Sequence, residues 1–475
     1  MAASIGQGWS NPLPSLLPVA EPLDEDETGS ETGFIAEFGF GPPLDNRKEA
    51  EYFMHFIHEL APWFDVCDPA RHFGTEVPKR ARHFPFLAYS ILAFSSRQIS
   101  LKNGIPDDSH ETYHSHALRI LIPILDDPIG AVNENVLAGI VILRSYEEMT
   151  DTDKNTHLTG SSRLLNSEFR FAAQGGLGEA ASWVVLRQDM YVSLTRSRPL
   201  RTNMDSYRDS QSFVDTCDES LANRVVFICG RVLAYAFGPD SRLDPVLWAE
   251  LGEDLRRWYE TTPWKVLSWS PDSPAREGGE KSVFPTLWMA RHIQVLGYQH
   301  YYIARMLLNI FDPQLWTPGF DAIRSRAASD EAVRKDLRTL LGLTISNPNL
   351  PTAYFTAHHT LYACGVYLKD EREHQEVFRF LEDMWNSMGW PTREVAAQLR
   401  KDWGLDKHFP ENASISPHQS SAQRFSGDQA WDPEPGVWGQ GSPIMDQGRK
   451  LAFFANSNKF FASGSDPSPL VLDPG

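Results

Sequence analysis

Cysteine is scarce in this chain, and its spacing removes whole classes of function. Cys67, Cys217, Cys229 and Cys364 are the four thiols among 475 residues. Cys217 and Cys229 are the nearest pair, and no CxxC occurs. So sparse a set makes no disulfide framework, and a reducing compartment suits it. It also cannot build the binuclear zinc cluster that reads DNA, which needs six closely spaced thiolates. Positive charge is missing from the start as well. No Lys, Arg or His precedes Arg47, and Pro12, Pro14 and Pro18 interrupt the first residues, so a signal peptide is not expected. Long apolar runs are absent too. Val136 to Leu143 is typical of the longest, far below the roughly 20 residues that cross a bilayer. A soluble intracellular protein with no membrane partner is the expectation.

Acidic residues outnumber basic ones by 62 to 44, a formal net charge of -18. The mean field therefore repels polyanions, which disfavours autonomous nucleic-acid binding while leaving room for a small basic patch. Two basic clusters exist, Lys79-Arg80-Ala81-Arg82 and the set Arg196, Arg198, Arg201 and Arg208. Each borders an expected helix, where helix-end charge is the ordinary explanation and nuclear import or phosphate contact the alternative.

Catalytic signatures are missing. There is no GxxxxGK[ST] loop, no strand-linked GxGxxG and no GxSxG elbow. Gln174-Gly175-Gly176-Leu177-Gly178 reads as a linker before a helix. His55 and His58 lie one turn apart with Glu59, but neither HExxH nor HxxEH occurs. His114 and His116, like the adjacent His358 and His359, diverge around a helix and make poor metal ligands. Asp126-Asp127-Pro128 lacks the third carboxylate of a magnesium-binding isoprenoid enzyme, and Pro128 breaks the helix that would present it. No catalytic, cofactor-binding or metal-ligating residue is assigned, and no enzyme is expected.

What the chain does contain is helical periodicity. Residues 1–48 form an acidic arm in which Phe34, Ile35, Phe38 and Phe40 follow a run of carboxylates. It cannot build a core alone and is expected to be disordered, either solvated and docked on the body or folding onto a coactivator. At Asn46 and Glu49 a capping box opens a helix that should stop before Pro62. Further helices are expected over 84–99, 113–125, 134–148, 178–194, 221–237 and 245–260. After a Pro, Gly and Ser rich break at 270–279, others are expected over 286–310, 330–343, 353–368, 373–388 and 392–403. No period-two strand series is evident. Several helices are apolar over most of their circumference, as helices inside a multi-layer bundle are. The fold class is therefore all-α, a large irregular multi-helix domain over 49–405. A tail over 406–475, rich in Gly, Ser and Pro and carrying Trp431, Trp438, Phe453 and Phe454, is expected to be disordered.

Inside the body, Arg187, Gln188, Asp189, Asn223 and Arg224 sit beside apolar helical positions and must find polar partners there. They are expected as structural clamps between helices, with ligand sensing the competing role. Arg144 has helix-pair spacing to Glu147 and Glu148.

An ordered succession of short blocks resembles a known family. It begins at His55-Phe56-Ile57-His58-Glu59-Leu60-Ala61-Pro62-Trp63-Phe64-Asp65 and continues through Leu121-Ile122-Pro123, Asn135-Val136-Leu137-Ala138 and Tyr146-Glu147-Glu148. Next come Trp183 with Leu186-Arg187-Gln188-Asp189-Met190-Tyr191, then Ala222-Asn223-Arg224, Ser346-Asn347-Pro348, Phe355-Thr356-Ala357 and Trp390-Pro391-Thr392. Together they resemble the fungal-specific transcription factor domain, the regulatory domain found behind zinc binuclear cluster regions. The resemblance implies a helical domain that tunes transcription in the nucleus through a small-molecule effector, a partner or an intramolecular contact, with no catalytic residue. Control of a biosynthetic gene cluster is a plausible role for this family. The departure lies at the N-terminus, where an acidic arm stands in place of the cluster. DNA is then reached through a missing upstream exon or a DNA-bound partner factor. The alternative is a helical interaction module with no direct role in transcription.

Overall fold

Asn46 opens the first helix of the computed structural model, accepting the Glu49 N–H on its side chain at 3.0 Å. The structure describes residues 43–126, 133–150, 156–238, 244–268, 283–316 and 319–405. The expected arm up to residue 42 and the tail from 406 lie outside the described residues, as does the break at 270–279.

Helix α1 spans Arg47–His55. It does not stop before Pro62 as expected. The chain passes through a π segment, Phe56–Leu60, into a short helix α2, Ala61–Phe64, that carries Pro62 in its first turn. A proline ring clashes with the carbonyl four residues back in a continuous α-helix. Widening the preceding turn, with the Ala61 N–H bonded back to the Phe56 carbonyl, lets Pro62 serve as a helix start instead. A 3-10 turn, Asp65–Cys67, follows.

The next elements are α3 (His72–Ala81), α4 (Pro85–Asn103), α5 (Ser109–Asp126), α6 (Glu134–Glu148), α7 (Thr156–Ser167) and α8 (Gly176–Arg196). After them come α9 (Asp218–Phe237), α10 (Pro245–Thr261), α11 (His292–Ile310), α12 (Phe320–Ser346), α13 (Pro351–Cys364), α14 (Glu371–Met388) and α15 (Arg393–Asp402). The all-α class holds, and all the expected helices are present, with ends displaced by a few residues in most. Two helices were not anticipated. Pro78 disguises α3, which gives up one backbone hydrogen bond to hold it, and Gly160 with flanking serines weakens the pattern of α7.

One expected helix starts late. Leu287–Trp288 is a short strand β2, paired antiparallel with β1 at Leu267–Ser268. Ser346 Oγ accepts the Leu287 N–H at 3.0 Å, and Asn347 Nδ2 donates to the Leu287 carbonyl at 2.9 Å. Those bonds hold the backbone extended, so α11 begins only at His292.

Two groups of helices meet at α8. On one side α4 packs on α1, α5 and α6, and α6 on α7. On the other α11 packs on α9, α10 and α12. Helix α8 touches α3, α6, α7, α9 and α13 and is buried almost throughout. By length and composition alone α9 could cross a membrane, but 67% of its apolar stretch is buried within this fold. Its apolarity is that of a core helix.

The α4–α6 crossing depends on a missing side chain. A β-carbon on Gly139 would lie 2.3 Å from Cε1 of the fully buried Phe86. Gly139→Ala is therefore expected to lower stability by about 1–3 kcal/mol through forced repacking, measured as a lower urea midpoint at unchanged slope.

Candidate functional site

Helix α8 starts where Gly175 and Gly176 adopt positive φ, 76° and 67°, a conformation that costs a residue with a β-carbon strain. Glu179 accepts the Gly175 N–H at 2.8 Å and closes the start. A 3-10 turn, Phe169–Ala172, precedes this glycine run, so it serves as a helix start.

Arg187, Gln188 and Asp189 occupy the middle of α8. Successive side chains turn by about 100°, so each reaches a different neighbour. Arg187 Nη2 donates to the Phe64 carbonyl at 3.2 Å. Gln188 Nε2 donates to the Val141 carbonyl and Ser145 Oγ of α6, both at 3.3 Å. Asp189, 0% exposed, accepts the Arg201 and Thr202 N–H groups at 2.6 and 2.8 Å and pairs with Arg198 at 3.3 Å. From α9, Asn223 Nδ2 donates to the Cys67 carbonyl at 3.3 Å and to Ser212 Oγ at 3.1 Å. Arg224 donates to the Ser212 carbonyl at 2.7 Å and to the Asp215 carbonyl.

Arg187 and Asn223 thus converge on the segment Phe64–Cys67 and both line a half-open cavity of about 160 Å³. Trp183, one turn before Arg187 on α8, lines it too. On its other side Arg187 borders a smaller cavity of about 50 Å³, walled by Trp63, Tyr191, Phe355 and Trp390 and edged by Gln188. Asp189 and Arg224 line neither. Trp183, Phe64 and Cys67 were not singled out as site residues from the sequence. The signal for Trp183 was its (i,i+4) spacing from Arg187.

Two arginines are buried among the described residues, Arg144 and Arg187. Arg144 is bound by Glu147 at 3.1 Å and Glu148 at 2.7 Å. Among the described residues Arg187 has no carboxylate partner, and its Nη1 has no hydrogen-bond partner. Trp183 Nε1, Asn223 Oδ1 and Gln188 Oε1 are likewise unpartnered. Such groups normally meet protein, water or a ligand. Cys67, also on the wall, is no nucleophile, because burial pushes its thiol up to about 11.

The histidines are spread over several settings. His55 bonds Gln98 at 2.7 Å, and His359 bonds the Phe355 carbonyl at 2.7 Å while stacking on Tyr191. His114 meets His157 of α7 at 3.3 Å, a contact sequence spacing could not disclose. Among the described residues no three His, Cys, Asp or Glu side chains are placed to hold a metal. Asp126 ends α5, and Asp127 lies outside the described residues.

No family model matches the chain, and no solved structure does. The chain is similar to the transcription activator AMTR1 of Alternaria alternata. The two are 24% identical over 380 residues, which is 70% of this chain and 48% of the relative. The chain therefore spans about half the length of that protein.

Two expectations follow. Asp189→Asn removes the charge that holds residues 198–202 against α8, and should cost about 2–4 kcal/mol in chemical denaturation. The second concerns pH. Burial lowers the folded-state pKa of His358 well below its usual range, that of His300 to about 4 and that of His114 to about 3. The unfolded chain then binds more protons, so stability falls as pH drops below the ordinary histidine range, by about 1.4 kcal/mol per unit per group. Asp65, raised to about 7 by burial, opposes this with the other sign, while His55, His110 and His116, also lowered by burial, add to it. Both ring nitrogens of His358 are unpartnered. His358→Leu should accordingly lose about 1–2 kcal/mol less than the native chain between pH 6.5 and 5 in urea titrations.

Proposed function

We propose that this chain regulates transcription in the nucleus and that its helical body is a regulatory domain of the fungal zinc-cluster type. The observation that carries the reading is the 24% identity to a transcription activator over 380 residues. The ordered blocks from His55 to Trp390 lend it support, and so does the all-helical fold.

Direct DNA binding by this chain is disfavoured by its charge. The net charge is -18, and much of the basic clusters is already engaged. Lys79 pairs with Glu76 at 2.8 Å, Arg80 with Glu134, Arg198 with Asp189 and Arg208 with Asp205 at 2.7 Å. DNA contact is therefore assigned to a DNA-bound partner or to a zinc-cluster exon upstream. The regulatory input is assigned to the cavity beside Arg187, as a small-molecule effector site. A biosynthetic gene cluster is the kind of target proposed.

The test is chromatin occupancy of the native protein tagged at its own locus, with transcript 5′ ends mapped in the same cells. Discrete occupied promoters are expected, with expression of the adjacent genes changing on deletion. A protein confined to the cytosol, with no occupied promoter, would reject this in favour of a helical interaction module.

A further inference from the structure

The chain has a net charge of -18, yet one stretch of it is positive throughout. Helix α7 and residues 195–204 together hold four arginines, Arg163, Arg196, Arg198 and Arg201, and no carboxylate. The fold brings these two segments together. Arg201 donates to Thr159 Oγ1, Asn166 Nδ2 donates to the Arg201 carbonyl at 2.8 Å, and Asn166 Oδ1 accepts the Asn203 N–H at 2.8 Å. Thr159, Arg163 and Asn166 are spaced i, i+4 and i+7, which is one face of a helix. Arg163 therefore lies on the face of α7 that meets this loop, between the two residues that hold it.

The carboxylates beneath this patch are already committed. Asp189 is 0% exposed and takes two backbone N–H groups besides Arg198, while Glu147 and Glu148 bind Arg144. Arg196 and Arg201 are exposed, Arg163 and Arg198 half-buried. The Arg201 guanidinium meets only the neutral Thr159 hydroxyl, and Arg196 has no ion pair among the described residues. Burial first, and then the nearby Arg201 charge, hold the Arg198 guanidinium below its usual range, with Asp189 acting against them. Like charges are gathered here with no exposed anion between them. Screening over about 8 Å at physiological salt weakens the field of distant carboxylates at such a patch. A compact dianion then gains from the arginines alone, because guanidinium forks bind phosphate oxygens in pairs. An extended polyanion would run past the patch into the field of a chain with net charge -18. Exposed Pro199 and half-buried Leu200 offer neutral surface beside it for the rest of a peptide.

We propose that this patch docks a phosphorylated serine or threonine of a partner segment, its phosphate seated between Arg201, Arg198 and Arg163. Arginine clusters recognise phosphorylated segments in this way. The site is separate from the cavity beside Arg187, and it rests on no step of the transcriptional reading.

The test is fluorescence anisotropy of a short labelled peptide of Ala, Gly and Pro with one central phosphoserine, titrated with the purified full chain at physiological ionic strength. The same peptide with serine, inorganic phosphate and a short DNA duplex are the comparison arms. Saturable binding of the phosphopeptide is expected, at least about tenfold tighter than that of the serine peptide. Arg201→Gln, which leaves the backbone bonds to Asp189 in place, should weaken it at least about tenfold. Arg163→Gln should weaken it about threefold to tenfold, and decides the matter if the Arg201 variant does not fold. Equal binding of the two peptides, no binding, or unchanged affinity in both variants would overturn the proposal. Displacement by inorganic phosphate at equal concentration would assign the patch to the free ion and overturn the partner. Tighter binding of the duplex, lost in the same variants, would make it a backbone contact and overturn it too.

Discussion

Helix α8 is covered by neighbours on nearly every side, and a helix so placed must find a partner for each polar group it carries. The fold answers with backbone atoms of neighbouring elements. Asp189 takes two N–H groups from residues 201–202, Gln188 takes a carbonyl from α6, and Arg187 takes the carbonyl at the end of α2. A carboxylate or guanidinium buried in this way is strongly destabilising to leave alone. The Asp189 bonds therefore fix a loop as firmly as they satisfy a side chain. The Phe64–Cys67 turn is held from α8 by Arg187 and from α9 by Asn223, which places its residues on the cavity wall.

Elsewhere several buried charges are paired with opposite ones, while Asp65 and Glu179 are held among the described residues by N–H and O–H donors. Glu373, 0% exposed, meets Arg334 at 3.0 Å and Arg338, and Asp336 meets Arg305. Against that background Arg187 is distinctive for its position rather than for its type. It stands between two cavities, one of about 160 Å³ and one of about 50 Å³ walled by aromatic rings. Phe64 lines both cavities with it.

Helical class, and most helix positions, were legible because amphipathic and apolar periods of 3.6 residues survive in the sequence. Local exceptions were not. Pro78 and Gly160 weaken a helical pattern that tertiary burial restores, while the side chains of Ser346 and Asn347, sixty residues away in sequence, decide that Leu287 is extended. The five polar residues Arg187, Gln188, Asp189, Asn223 and Arg224 stood out as polar groups among apolar neighbours. Their division did not: two border the larger cavity, one edges the smaller, and two serve loops. Sequence spacing carries Trp183 to Arg187 along one helix, but nothing in it brings Asn223 across from another.

The π segment at Phe56–Leu60 acts as a phase shifter. On an unbroken α-helix Trp63 and Phe64, eleven residues further on, would fall within about 20° of Tyr52 and Phe53. A π turn holds one residue more per hydrogen-bonded ring than an α turn, which turns the residues behind it by roughly one residue's step, about 100°. Both pairs are buried, Tyr52 against Tyr113 and Trp63 against Phe355 and Trp390. The aromatic wall of the smaller cavity is thus set by the pitch of one irregular turn.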